Sequence, residues 1–282
     1  MVQATLPIES GLTESGPTES GPLEAGRRSA RAATPPRTLI VLPTYNEREN
    51  IETVLRRVRF VVPAAHVLVV DDASPDGTAE LAEAVAQDLG GISLLRRPAP
   101  TGLGGAYRAG FAWGLERDYD VLVEMDSDLS HDPLVLPELL HAVAGGADLA
   151  IGSRYVDGGG TKDWPWIRRM VSRNGCRYAQ HMLRLPARDS TSGFRAYRAA
   201  ALRAAHLDEV RANGYGFQVE MTYRVARAGG RVAEVPIEFR DRVAGSSKMS
   251  MRIVVEAFLL VTRWGLRDRL TRASWSRPQP VV

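Results

Sequence analysis

The chain has 282 residues, 44% hydrophobic and 24% charged, with a formal net charge of +3 and a sequence pI near 9.2. That is enough for one α/β domain of about 200–250 residues, and the mild positive charge fits phosphorylated substrates, nucleic acid or an anionic membrane alike. The single cysteine, Cys176, excludes an internal disulfide and a cysteine-based zinc site and fits a reducing compartment.

The first residues lack a basic start followed by an apolar core, so no signal peptide is predicted. No run reaches the roughly 18–20 apolar residues that cross a bilayer; the longest, Ile253 to Thr262, is broken by Glu256. Residues 1–36 repeat a Glu-Ser-Gly unit (Glu9-Ser10-Gly11, Glu14-Ser15-Gly16, Glu19-Ser20-Gly21) and carry little apolar surface to offset chain entropy. They read as a disordered tail. A folded domain over 37–249, a helix over 250–270 and a flexible end over 271–282 follow.

Order begins at Thr38. Thr38-Leu39-Ile40-Val41-Leu42 is a short apolar run typical of a buried parallel strand. Asn46 and Glu49 are spaced as an N-cap and its reciprocal partner, and Ile51, Val54, Leu55 and Val58 follow with helical period. A second strand, Val67-Leu68-Val69-Val70, ends in Asp71-Asp72, and Pro75 and Gly77 turn the chain. Leu81, Val85 and Leu89 mark a helix, Ile92 to Leu95 a third strand, and Gly102 to Glu116 another helix. Val121-Leu122-Val123 leads a fourth strand into Asp126, Pro133 opens a helix, and Leu149-Ala150-Ile151 forms a strand. This alternation predicts an α/β fold, an open, mostly parallel sheet with helices on both faces.

The second half is less regular. Asp157 to Trp166, rich in glycine and tryptophan, reads as a mobile loop. Val232 to Phe239 contains a proline and reads as a strand near an edge, and Ser250 to Arg269 reads as a helix.

Ligands of open α/β sheets bind beyond the carboxyl ends of the strands. The polar clusters Pro43 to Glu47, Asp71-Asp72 and Asp126 to Asp128 fall there. Side chains repeat every two residues along a strand, so an extended end to the fourth strand would point Asp126 and Asp128 the same way. Two converging carboxylates repel unless a cation lies between them, and dense oxygen ligands suit Mg²⁺ or Mn²⁺. A solvated turn after the strand is the other reading of the pair. Asp72 is placed to accept a hydrogen bond from a nucleobase or ribose, or to cap its turn, a task open equally to Asp71 and Asp76. Gly102-Leu103-Gly104-Gly105 departs from a dinucleotide fingerprint and follows the wrong strand; close helix packing is the use predicted for it. Arg168 and Ser172 share a helix face at i, i+4, Arg154 follows a strand end, and Arg242 and Lys248 flank Gly245-Ser246-Ser247. Together these cations can clamp phosphates.

Seven blocks, in order over roughly residues 38–265, carry a resemblance. They are Pro43 to Asn50, Asp71 to Thr78, Met125 to His131, Gly152 to Tyr155, Ser192 to Arg195, Gly214 to Gln218, and Asp241-Arg242 through Ser247-Lys248-Met249. In them the chain resembles the polyprenol-phosphate (dolichol-phosphate) mannose synthases, inverting glycosyltransferases of family 2 with a GT-A fold. The resemblance implies mannose transfer from GDP-mannose to a polyprenyl phosphate, with residues 37–249 as the catalytic domain. Pro43, Tyr45, Glu47, Val70 and Asp72 would hold the guanosine. Asp126 and Asp128 would bind Mg²⁺ or Mn²⁺ and the diphosphate, with Ser127 lining the donor site. Ser130 stands where the family often carries a further metal-shell residue. Arg242 and Lys248 would close over the donor, so that Asp128, Arg242 and Lys248 carry the catalysis. Arg154, Arg168 and Ser172 would receive the acceptor phosphate.

The implied partners are the two substrates and a membrane surface or membrane-anchor protein, and no nucleic acid. The implied location is peripheral, on the cytoplasmic face of a membrane. Met251 to Trp264, with Arg252, Arg263, Arg267 and Arg269, reads either as an interfacial helix or as a packed C-terminal helix. A UDP-glucose donor on the same fold, and a non-catalytic lipid- or partner-binding module, are the alternatives.

Overall fold

A computed structural model describes residues 35–241 and 251–270. The first half runs β1 (Thr38–Thr44), α1 (Ile51–Val61), β2 (His66–Asp71), α2 (Thr78–Leu89), β3 (Ile92–Arg96), α3 (Leu103–Leu115), β4 (Val121–Glu124), α4 (Leu136–Ala144) and β5 (Leu149–Ser153). The second half runs β6 (Gly160–Thr161), α5 (Trp166–Leu183), β7 (Arg195–Arg198), α6 (Ala199–Ala204), α7 (Tyr215–Arg227), β8 (Val232–Pro236), β9 (Glu238–Phe239) and α8 (Met251–Leu270).

Seven strands form one sheet in the order β3-β2-β1-β4-β7-β5-β8. All its pairings are parallel except those of β7, which runs antiparallel to both β4 and β5. The pleat divides the core. Leu39, Val41, Leu68 and Val70 face Tyr107, Phe111, Leu202, Phe217 and Met221 from α3, α6 and α7. Ile40, Leu42, Val67 and Val69 face Ile51, Val54 and Leu55 of α1, Val85 of α2, and Leu136 and Leu139 of α4. A strand buried on both faces must be apolar at every position, which is why the central strands stand out as unbroken runs. The α/β sheet with helices on both faces matches the expectation, as does the edge position of β8.

Three local expectations are revised. Asn46 does not cap α1: it adopts φ +59° and its N–H donates to Ser74 Oγ (3.0 Å). The helix starts at Ile51 after Asn50, whose amide donates to Glu47 Oε2 (2.9 Å). Tertiary bonds to the β2–α2 loop outcompete the local cap. Pro133 opens a short 3-10 turn, Pro133–Val135, before α4. Residues 157–166 are tied down by pairing of β6 with β9, by Gly160 N–H to Ile237 O (2.9 Å) and by the burial of Trp164. Finally, β7, α6 and α7 were not predicted.

The glycines of α3 serve close packing, as expected. A Cβ on Gly104 would lie 2.9 Å from Ala212 O and 2.9 Å from Asn213 Oδ1. At the other end, α8 packs on α5 and α7 through Val261, Trp264 stacked on Tyr223, and Phe258 stacked on Tyr178. Its opposite side leaves Val255, Leu259, Leu266 and Leu270 exposed. The packed reading thus describes one side of this helix. Among the described residues no helix is long and apolar enough to cross a membrane.

Candidate active site

The carboxyl ends of β1, β2 and β4 open into a cavity of about 480 Å³. Its wall includes Pro43, Tyr45, Glu47, Asp72, Asp126, Ser127, Asp128, Arg154 and Arg168, so nine of the sequence-predicted site residues converge. Val70 is the exception: its side chain is fully buried in the core and forms no part of the wall. Ser172 lies in the neighbouring groove. Arg242 and Lys248 lie outside the described residues.

The β2–α2 turn separates its three aspartates by task. Asp71 accepts from Thr44 Oγ1 (2.9 Å), Ser74 N–H (2.9 Å) and Ser74 Oγ (2.6 Å). Asp76 accepts from the N–H and hydroxyl of Thr78 (3.0 and 2.6 Å), and burial alone would push its pKa up, but these bonds hold it low. The turn is thus satisfied without Asp72, which faces the cavity. There Asp72 meets Arg97 Nη1 at 2.5 Å and the Thr101 N–H at 3.2 Å.

At the end of β4 the extended backbone stops at Glu124, yet Asp126 and Asp128 still reach the same cavity. Ser127 between them donates to Pro43 O (2.8 Å), locking the segment to β1. Asp126 Oδ1 accepts from the Tyr107 hydroxyl (2.9 Å); burial, then the Asp126 charge, raises that phenol's pKa well above its ordinary value, so it remains a donor. The Asp126 N–H donates to His131 Nδ1 (3.3 Å), which leaves the proton of a neutral imidazole on Nε2. Asp128 Oδ1 accepts from the Ser130 N–H (3.1 Å), while the Ser130 side chain is buried away from the wall.

The far wall is basic and aromatic. Arg154 forms a buried two-point pair with Asp189 (2.7 and 2.7 Å) and donates to Thr191 Oγ1 (2.7 Å). Burial opposes the Arg154 charge, and Asp189 overcomes it and holds the guanidinium ionised. Arg168 stacks on Trp164 (4.1 Å to the ring centre) and pairs with Asp241 (3.1 Å). Beyond it lies a second, more apolar cavity of about 310 Å³, walled by α5, α7 and α8 through Val171, Ser172, Tyr178, Val219, Phe258 and Val261. Trp164, Arg168, Thr191 and Tyr215 line both cavities. Ser172 accepts from the Tyr155 hydroxyl (2.7 Å), which leaves its own O–H to donate into the groove.

Among the wall residues that fall in the sequence blocks without an assigned role, Gln218 stands out. Gln218, on the first turn of α7, is buried and lines the polar cavity; its amide group donates toward the buried Glu124 carboxyl, and its Oε1 has no hydrogen-bond partner among the described residues. A Cβ built on Gly193 would lie 3.5 Å from both Asp126 Oδ2 and Gln218 Nε2, so the two side chains converge over a glycine. Among the described residues no cluster of three His, Cys, Asp or Glu side chains could hold a metal. Two carboxylates with an unpaired amide oxygen, and room beside them for phosphate oxygens and water, fit a hard divalent cation that keeps part of its own shell. A buried amide oxygen without a partner calls for an explanation, and such a ligand provides one.

Comparison with known proteins gives the family and the fold. The sequence profile of glycosyl transferase family 2 matches residues 39–205. An undecaprenyl-phosphate mannosyltransferase of Micrococcus luteus is 55% identical over 233 residues, 83% of this chain and 96% of that protein. A polyprenol monophosphomannose synthase of Mycolicibacterium smegmatis is 49% identical over 238 residues, 84% and 90% of the two chains. A mannosyltransferase of Pyrobaculum calidifontis, solved with GDP-Man and Mn²⁺, superposes with a TM-score of 0.53 at 17% identity, covering 87% of this chain and 78% of its own, and shares the fold. The fold is of the GT-A type, and the chain is an enzyme that belongs to glycosyl transferase family 2, among its polyprenyl-phosphate mannosyltransferase relatives.

Proposed function

We propose that this enzyme transfers mannose from GDP-mannose to a polyprenyl phosphate, with inversion at the anomeric carbon, and releases GDP. The observation that carries the reading is the junction of two unlike cavities at Arg168: a polar one rich in carboxylates and an apolar one between helices. A sugar nucleotide fits the first and a prenyl chain the second, with the acceptor phosphate where they meet. The names of the two bacterial relatives, and the GDP-Man in the Pyrobaculum structure, support the same substrates.

In this reading Pro43, Tyr45, Glu47 and Asp72 hold the guanosine. Asp126 and Asp128, with the Gln218 amide, hold Mg²⁺ or Mn²⁺. When bound, the cation neutralises charge growing on the diphosphate as it leaves. Ser127 fixes the spacing of the two aspartates. Arg242 and Lys248 keep their assignment to the donor diphosphate from the sequence resemblance. Arg168, Ser172 and Arg154 orient the acceptor phosphate. That phosphate is already anionic at neutral pH, so its oxygen attacks the anomeric carbon without a protein base while the bond to the GDP oxygen breaks. The apolar side chains of α5 and α8 that remain exposed, Trp166, Ile167, Met170, Val255 and Leu259, face a bilayer from which the lipid enters. The protein thus sits peripherally on the cytoplasmic side, by its own surface or through an anchor protein.

The test is turnover of radiolabelled GDP-mannose and UDP-glucose, side by side, on defined polyprenyl phosphates with and without Mg²⁺ or Mn²⁺. Metal-dependent transfer from GDP-mannose is expected. Preference for UDP-glucose overturns the donor assignment, and a lipid product that retains the α configuration by NMR overturns the inversion.

A further inference from the structure

Arg195 heads the largest fully buried side chains among the described residues. It lies on β7, the antiparallel strand between β4 and β5. A guanidinium has five N–H groups to satisfy, and burying it is costly unless they are paired. Nε donates to Ser192 O (2.6 Å) and Nη2 to Ser190 O (2.8 Å). Nη1 donates to Gln218 O (2.9 Å) and to Thr222 Oγ1 (2.9 Å). Glu124 Oε1 lies 3.4 Å from Nε and also accepts from the Tyr197 hydroxyl (3.2 Å).

Three segments therefore meet on one cation. The first is the Ser190 to Ser192 turn, which delivers Gly193. The second is the start of α7, which delivers Gln218. The third is the end of β4, two residues before Asp126. These are the backbones that bring Asp126, Gly193 and Gln218 together over the polar cavity. Apolar residues of similar volume often replace a buried ion pair without loss of stability, so packing alone does not require an arginine here. Holding three unrelated main-chain segments in register does, because only a fork of several donors reaches all of them at once.

We propose that Arg195 is a positioning residue: by tying the start of α7 and the turn before Gly193 to the end of β4, it sets the Gln218 amide against Asp126 for cation binding. The proposal rests on the metal reading given above. The main-chain carbonyl of Gln218 is fixed by Arg195, and its side chain then has a defined direction into the cavity. Thr222, one turn further on, carries the same tie through its hydroxyl.

The experiment measures Mn²⁺ binding to the full-length protein without donor or acceptor, by EPR of the free ion. Gln218→Ala and Arg195→Lys are each expected to weaken binding, by about ten- to a hundredfold. Thr222→Val removes one acceptor without changing charge and is expected to weaken it by roughly two- to tenfold. In a Gln218→Ala background both the Arg195 and Thr222 substitutions should lose most of their effect, because residues acting through one contact are not additive. Full effects in that background overturn the proposal, since Arg195 would then act on the fold at large. So does wild-type affinity in Arg195→Lys or, where that variant fails to fold, in Thr222→Val. Absence of Mn²⁺ binding by the wild-type protein removes the metal reading and this proposal with it; intact wild-type binding with additive variants removes this proposal alone.

Discussion

The two cavities that share Arg168 are built by different means. The polar one stands at the ends of strands, and its side chains are held by bonds to their neighbours: Asp126 by Tyr107, Asp128 by Ser130, Asp72 by Arg97 and Thr101. The apolar groove is made from the faces of three helices, and its polar bonds are few, such as Tyr155 to Ser172 and Tyr178 to Thr262. Directional bonds fix where each charge sits, as stabilising a leaving diphosphate requires. Apolar contact is non-directional, which suits a long hydrocarbon held anywhere along its length. The difference teaches that precision and tolerance are divided between sheet ends and helix faces, with the Arg168 and Trp164 stack at the border.

That division can be broken on either side. The largest effect is expected from Asp128→Ala, which should lower kcat for mannosyl transfer by on the order of 10²–10³-fold, as for loss of a charge-stabilising group. Binding of polyprenyl phosphate, measured by tryptophan fluorescence, should survive, because the groove does not include Asp128. Asp189→Ala acts on stability rather than on one cavity. It leaves the buried Arg154 cation unpaired, and urea unfolding should show a loss of about 3–5 kcal/mol.

Arg168→Ala attacks the border. The acceptor KM should rise by roughly 10- to 100-fold, the worth of a hydrogen bond to a charged group, with the donor KM little changed. Equal rises in both would show that the two cavities are not separable. The smallest effect belongs to Val171→Asp in the groove wall. Loss of contact with two or so methylenes corresponds to about tenfold in KM for a long-chain polyprenyl phosphate, and a short-chain acceptor should be unaffected. An equal penalty on both acceptors would place the chain elsewhere.

Legibility in the sequence follows the same line. Strands β1, β2 and β4 are apolar runs ending in polar clusters, so their order, their burial and the side of the sheet that carries the site could all be read locally. The strand β7 could not. Its sequence, Arg-Ala-Tyr-Arg, opens with a charge that is buried only because Ser190, Ser192, Gln218 and Thr222 arrive from elsewhere. That Arg154 is buried against Asp189, 35 residues on, could not be read locally either. The Asn46 cap was a sound local signal overruled by Ser74.

By itself the sequence determined the fold class, the parallel sheet core and the carboxylate pair at a strand end, because hydrophobic periodicity and strand-end polarity are properties of short segments. Only the tertiary structure decided which aspartate of the β2 turn faces the cavity and that Gln218 joins Asp126 over Gly193. It alone also decided that α5, α7 and α8 enclose a groove beside the polar site. Those features depend on contacts between residues distant in the chain. Such contacts satisfy buried polar groups and shape cavities without leaving any period in the sequence.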